Sequence, residues 1–167
     1  MKALCAACLA FLSGCASVET SIVINAPAKD VRAVLYDFAD YPKWNPFLIR
    51  VEGTAEDGKQ LYVTVKEAGK PELTGDVTVI SATDSLLSWS GTATSQMESG
   101  SIDVGLPGVL SARHEFIIEE QGPARTLFSN NDKLSGALVS LYNSKGLQTG
   151  LGAMNEALKK RVEQVQK

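Results

Sequence analysis

A chain of 167 residues, 44% of them hydrophobic, fits one domain, and a mature part of about 150 residues can bury roughly 70% of its unfolded surface. A formal net charge of −3, with no basic run carrying interleaved aromatics, argues against a nucleic-acid partner. The cysteines are Cys5, Cys8 and Cys15, so the domain beyond them has no disulfide and must be held by its core.

The first residues read as a targeting segment. Lys2 supplies a short positive region, and the apolar run from Ala3 to Leu12 is too short for a bilayer, which needs ~20 residues. Leu12-Ser13-Gly14-Cys15 reads as a bacterial lipobox, with cleavage before Cys15 and acylation of its thiol. The alternative is an ordinary secretory signal with an incidental cysteine. Ala16 follows Cys15 where an aspartate would resemble an inner-membrane retention signal, which favours the outer membrane of a two-membrane cell. The chain thus divides into a lipoprotein signal peptide (1–14), a lipidated N-terminus with a short tether (15–18) and a folded domain (19–167). The expected location is the bacterial cell envelope, anchored to the outer membrane and facing the periplasm.

From Ser21 a strand begins, with Ile22 and Ile24 on one face and Val23 on the other, and Asn25-Ala26-Pro27 ends it. Pro27 suits the first turn of a helix, and Asp30 lies near that helix's positive end. Val31, Val34, Leu35 and Phe38 form one helical stripe. Asp40-Tyr41-Pro42 interrupts the helix, and Trp44-Asn45-Pro46-Phe47 leads to the next strand. A meander follows: Ile49 and Val51, then Leu61, Val63 and Val65, then Val77 and Val79, then Leu87, Trp89 and Gly91, each set alternating with polar neighbours. The turns are Glu56 to Lys59, Gly69-Lys70-Pro71 and Thr83-Asp84.

Thr92 to Val109 breaks the rhythm, being rich in Ser, Thr and Gly yet carrying Met97, Ile102, Val104 and Leu106. It reads as a lid, as a disordered hairpin tip or as an extended hairpin. The next strand places Leu110, Ala112, His114, Phe116 and Ile118 inward, and the last strand, from Arg125 to Leu134, places Thr126, Phe128, Asn130, Asp132 and Leu134 on one face. Residues 137–166 read as one long helix. Leu147, Leu151, Met154, Leu158, Val162 and Val165 form its apolar stripe, beside small residues at Gly146, Gly150, Ala153 and Ala157. Its charges exclude a transmembrane helix. One amphipathic helix and one antiparallel sheet that bury each other's apolar faces make an α+β two-layer fold.

A-P-x-x-x-V at 26–31, L-Y-D-F at 35–38, Y-P-x-W-N-P-F at 41–47, R-H-E-F at 113–116, T-L-F-S-N-N-D-K-L-S-G at 126–136 and A-M-N-E-A-L-K-K-R-V-E at 153–163 recur together in order. As a set they resemble the START-like superfamily (SRPBCC, helix-grip fold), in its polyketide cyclase/dehydrase-like branch. The resemblance covers nearly all of the chain after residue 18. It implies a curved antiparallel sheet wrapped around one long C-terminal helix, with two short helices after the first strand and a cavity between sheet and helix. It does not imply one reaction, because members include carriers, sensors and cyclases.

The small residues on the helix either leave room for a ligand or permit close helix–sheet packing; the resemblance favours room. The expected lining is Trp89, Phe116, Phe128, Leu147, Gly150, Leu151 and Met154, with His114 and Asn130 as polar contacts. His114 is the sole histidine. It reads as a core histidine with a polar partner or, with Asp132, as a weak candidate for acid/base catalysis. It has no metal-ligand company, and neither a metal nor a cofactor is expected. No G-x-S-x-G elbow, free thiol or phosphate loop is present in the domain.

The leading expectation is a monomeric, membrane-anchored carrier of a hydrophobic small molecule or lipid, not an enzyme. The alternatives are a polyketide cyclase/dehydratase-like enzyme using His114 and Asp132, and an interaction lipoprotein with a filled core.

Overall fold

The computed structural model describes residues 14–92, 111–136, 139 and 144–165. Strand β1 (Gly14–Ile24) is followed by helix α1 (Ala28–Tyr36), a 3-10 turn (Phe38–Asp40) and helix α2 (Tyr41–Trp44). Strands β2 (Leu48–Gly53), β3 (Gln60–Val65), β4 (Leu73–Ala82), β5 (Leu86–Thr92), β6 (Ser111–Gly122) and β7 (Arg125–Gly136) come next, and helix α3 (Ser144–Val165) closes the order. The strands form one antiparallel sheet, β1-β7-β6-β5-β4-β3-β2. A curved seven-stranded sheet, a long C-terminal helix and short helices after the first strand make this the helix-grip fold.

Two boundaries differ from the sequence expectation. The β1–β7 ladder starts at Gly14↔Gly136 and includes Cys15↔Ser135 and Val18↔Asp132, so residues 15–18 are strand and not tether. Ala16 and Val18 face inward between outward Cys15, Ser17 and Glu19, which extends the two-residue period upstream of Ser21. The first helix ends at Tyr36, with Asp37 as its cap, and not at Asp40-Tyr41-Pro42. Pro42 instead occupies the first turn of α2, where no intrahelical partner awaits its missing N–H. The long helix is described from Ser144 to Val165; residues 137, 138, 140–143 and 166 of the expected span lie outside the described residues, as do residues 1–13 and all of the expected lid beyond Thr92.

α3 meets the rest of the molecule through Leu147, Leu151, Met154, Leu158 and Val162, all buried in one core with Ile24, Leu35, Phe116 and Phe128. Its C-terminal half is also tied by polar contacts. The Glu163 carboxylate accepts from Asn25 N–H at 2.9 Å and Asn25 Nδ2 at 3.1 Å, and Arg161 meets Asp40 at 2.7 Å. The Asn25 backbone bond holds the Glu163 carboxyl below its usual range, opposed by burial. The Lys43 hydrogen bond does the same for Asp40, with Arg161 adding to it. Among the described residues no helix is long and apolar enough to cross a membrane.

Candidate functional site

The inner face of the sheet is organised in rows of cross-strand partners. One row runs Ala16, Leu134, Ala112, Gly91, Val77. The next runs Val18, Asp132, His114, Trp89, Val79, and a third starts Thr20, Asn130, Phe116, Leu87. Antiparallel pairing therefore sets His114 directly opposite Asp132, with the Trp89 ring stacked on the imidazole at 5.5 Å between centroids. The Phe116 ring lies 4.3 Å from the same imidazole.

A polar chain crosses this apolar face. Thr20 Oγ1 donates to the Asn130 carbonyl at 2.9 Å and accepts from Asn155 Nδ2 at 3.1 Å. Asn155 Oδ1 accepts from Asn130 Nδ2 at 3.0 Å, and Asn130 Oδ1 lies 2.7 Å from His114 Nε2. His114 Nδ1 lies 3.3 Å from Asp132 Oδ2. Asn130, Asn155, His114 and Asp132 are all buried, so each needs these partners. Asp132 Oδ1 is the exception: it is buried and has no hydrogen-bond partner among the described residues.

Asp132 and His114 line a cavity of about 130 Å³. Apart from Thr74, the rest of the wall is apolar or glycine, from Phe47, Leu48, Val63, Leu134 and Leu147 to Gly75, Gly91 and Ala112. The small residues of its wall are Gly75, Gly91 and Ala112 on the sheet. Gly91 passes so close to β4 that a Cβ there would stand 2.7 Å from the Asp76 carbonyl oxygen and 2.8 Å from the Val77 side chain. The wall at that point is backbone.

The expected lining splits in two. Trp89, His114 and Leu147 border the cavity. Phe116, Phe128, Asn130, Leu151 and Met154 have no exposure and sit in the packed core, while Gly150 lies under the Phe47 ring, which would collide with any Cβ added there. Gly146 likewise faces the Glu67 carboxylate, so Gly146 and Gly150 permit close contact and do not open space, whereas a Cβ at Gly152 would meet nothing within 4 Å. Alternation had placed Ala112 and Leu134 on the correct faces; the missing information was their shared row with Gly91.

The Y-P-x-W-N-P-F segment braces the core and brings Phe47 to the cavity wall. Tyr41 is fully buried, which pushes its hydroxyl pKa up, and the protonated hydroxyl donates to the Leu35 carbonyl at 2.6 Å. Asn45 Oδ1 accepts from the N–H groups of Phe47 and Leu48 at 3.0 and 2.9 Å, a local turn that carries the Phe47 ring onto α3. Among the described residues no three His, Cys, Asp or Glu side chains gather as a metal site requires.

The same fold occurs in several solved structures. An aromatase/cyclase from Streptomyces sp. R1128 superposes with a TM-score of 0.66 at 16% identity, covering 92% of this chain and 97% of that one. A START superfamily protein from Mycobacterium smegmatis gives 0.63 at 19%, covering 89% and 98%. Norcoclaurine synthase from Thalictrum flavum, in complex with dopamine and hydroxybenzaldehyde, gives 0.61 at 16%, covering 91% and 88%. Comparison with curated protein sequences finds no match. The family model described as polyketide cyclase/dehydrase and lipid transport matches residues 16–163, and the chain belongs to that family.

Proposed function

We propose that this protein is an envelope-anchored binding or carrier protein for a small, largely apolar molecule held between the sheet and the first turns of α3. The observation that carries the reading is the cavity itself: an apolar wall with Thr74, His114 and Asp132 as its polar side chains. Ligand sites are concave and mostly apolar with a few placed polar groups. At about 130 Å³ the space suits one ring or a short chain, since an engineered apolar cavity of ~150 Å³ holds benzene. Native mass spectrometry of the full-length chain extracted from membranes should release one small apolar molecule. Extraction with nothing bound, and no uptake of added toluene, would reject the reading.

The anchor in this proposal is Cys15. Its side chain is exposed, and Ala16 stands in the row that includes the cavity residues Leu134, Ala112 and Gly91. With β1 paired from its first residues, an acylated Cys15 would hold that end of the sheet against the outer membrane with no intervening tether. Two acyl signals give stable attachment at ~0.8 kcal/mol per buried CH₂. Cys15→Ser should move the protein from the membrane fraction to the soluble one; wild type found free and unacylated would remove the anchor from the proposal.

A second reading, catalysis by His114 and Asp132 on a cyclase/dehydratase pattern, is favoured by their direct contact at the cavity wall. Chemical change of a bound ligand, abolished by His114→Ala, would select it over carriage.

A further inference from the structure

The cavity closes toward one end of the sheet and opens toward the other. Its innermost row, Asp132, His114 and Trp89, is buried. In the next row Leu134 is buried at the flank, while Ala112, Gly91 and Val77 are half-buried. Gly75, Leu73 and Val65, further toward the β3–β4 turn, are half-buried as well. On β1 the same steps lead from Val18, in the Asp132 row, through Ala16, in the Leu134 row, to Gly14. The opening therefore lies at the end of the sheet where β1 begins. The start of α3 lies there too: Leu147 lines the cavity, and Gly146 faces the Glu67 carboxylate of the β3–β4 turn.

We propose that the cavity opens onto the bilayer that holds Cys15, and that its ligand is a small apolar molecule taken from the lipid phase. This rests on the anchor and cavity readings above and adds the docking surface and the ligand's source to them. Cys15 is itself a rung of the β1–β7 ladder, opposite Ser135, so no flexible residues separate the acylated position from the sheet. Neighbouring strands stand ~4.8 Å apart, which sets Ala16 only about 10 Å from Ala112 on the rim. The opposite end of the sheet exposes Glu56, Asp57, Asp84, Glu119 and Glu120 against Lys59 and Arg125, an acidic excess that an anionic bilayer repels. At the open end, exposed Lys66, Lys70 and Lys145 stand with Glu67 and Glu72. With the opening held against lipid, an apolar molecule passes from acyl chains to the apolar wall without exposing its surface to water.

The test uses the acylated protein in vesicles of phosphatidylethanolamine and phosphatidylglycerol. With Cys5 and Cys8 cleaved off and Cys15 acylated, one introduced cysteine is the only free thiol. Ala68→Cys carries a fluorophore on the exposed β3–β4 turn, and Glu56→Cys carries it on the exposed β2–β3 turn at the opposite end. A spin-labelled lipid should quench the label at residue 68 several-fold more than the label at residue 56. p-Fluorotoluene dissolved in the vesicles should show fluorine exchange directly between its lipid and cavity signals. Equal quenching at the two positions, stronger quenching at residue 56, or exchange that passes only through the water signal would overturn the inference. An unacylated Cys15, seen by mass spectrometry, would instead overturn the anchor reading. Absence of any cavity signal would overturn the cavity reading.

Discussion

The two ends of the sheet–helix interface are built from similar residues and behave differently. At one end, Phe116, Phe128, Leu151, Met154 and Leu158 close on each other with no exposure left. At the other, Trp89, His114, Leu134 and Leu147 stand around open space. The same helix serves both ends, and it carries its glycines at the end with the cavity. Of these, Gly150 is covered by Phe47 and Gly146 faced by Glu67, so the helix sits close even there. The difference lies in the sheet: beside the cavity the row from Leu134 continues with Ala112 and Gly91, whereas at the packed end the row from Asn130 continues with Phe116 and Leu87. Space in this fold follows from which rows of the sheet carry short side chains, not from small residues on the helix.

This contrast can be broken most strongly at the packed end. Phe128→Ala should cost ~3–5 kcal/mol and Leu158→Ala ~2–5 kcal/mol, read as a lowered denaturation midpoint, because both side chains are enclosed. An unchanged midpoint for Leu158→Ala would put that residue on the surface and reject the helix phase. Gly150→Leu comes next. It drives a side chain into the Phe47 ring and should destabilise by ~1–3 kcal/mol or more, as overpacking does. Wild-type stability in that variant would show that Phe47 moves aside freely.

Ala112→Leu tests the other end. It adds atoms where the wall already faces space, so stability should change by less than ~1 kcal/mol while toluene uptake is lost. A large loss of stability would mean that the space is closed in solution.

The smallest expected effect is with pH. Asp40 and Glu163 have carboxyl pKa values lowered by their partners in the folded state. Such groups contribute stability that is fully present above their unfolded values and is lost as pH falls through the lower folded ones. The loss should therefore appear below about pH 4 and be reduced in Glu163→Gln. Stability that instead rises on acidification through this range would contradict the pairing seen at the C-terminal end of α3.

The sequence by itself determined the period of β6, β7 and α3, which place the polar side chains of the site, but not that of β2, where a bulge between Leu48 and Arg50 buries Leu48 with Val51 in place of the expected Ile49. Alternation from Ala112 to Ile118 and from Thr126 to Leu134 put His114, Asn130 and Asp132 on the inner face, because a strand's side chains change face at every residue. The stripe from Leu147 to Val162 likewise set the buried face of α3. Asn155, the link between Thr20 and Asn130, lies next to Met154 on that helix and was passed over because one amide among apolar neighbours carries no period of its own. Only the tertiary structure decided which residues share a row. Register joins Asp132 to His114 and His114 to Trp89 across separate strands, and no local pattern in any one strand encodes it. The same limit hid the direction of Phe47. Its ring is aimed by the Asn45 turn, and its landing on Gly150, more than a hundred residues along the chain, converts an expected opening into a contact. Periodicity is a property of a segment, whereas a cavity is a property of the segments that fail to meet.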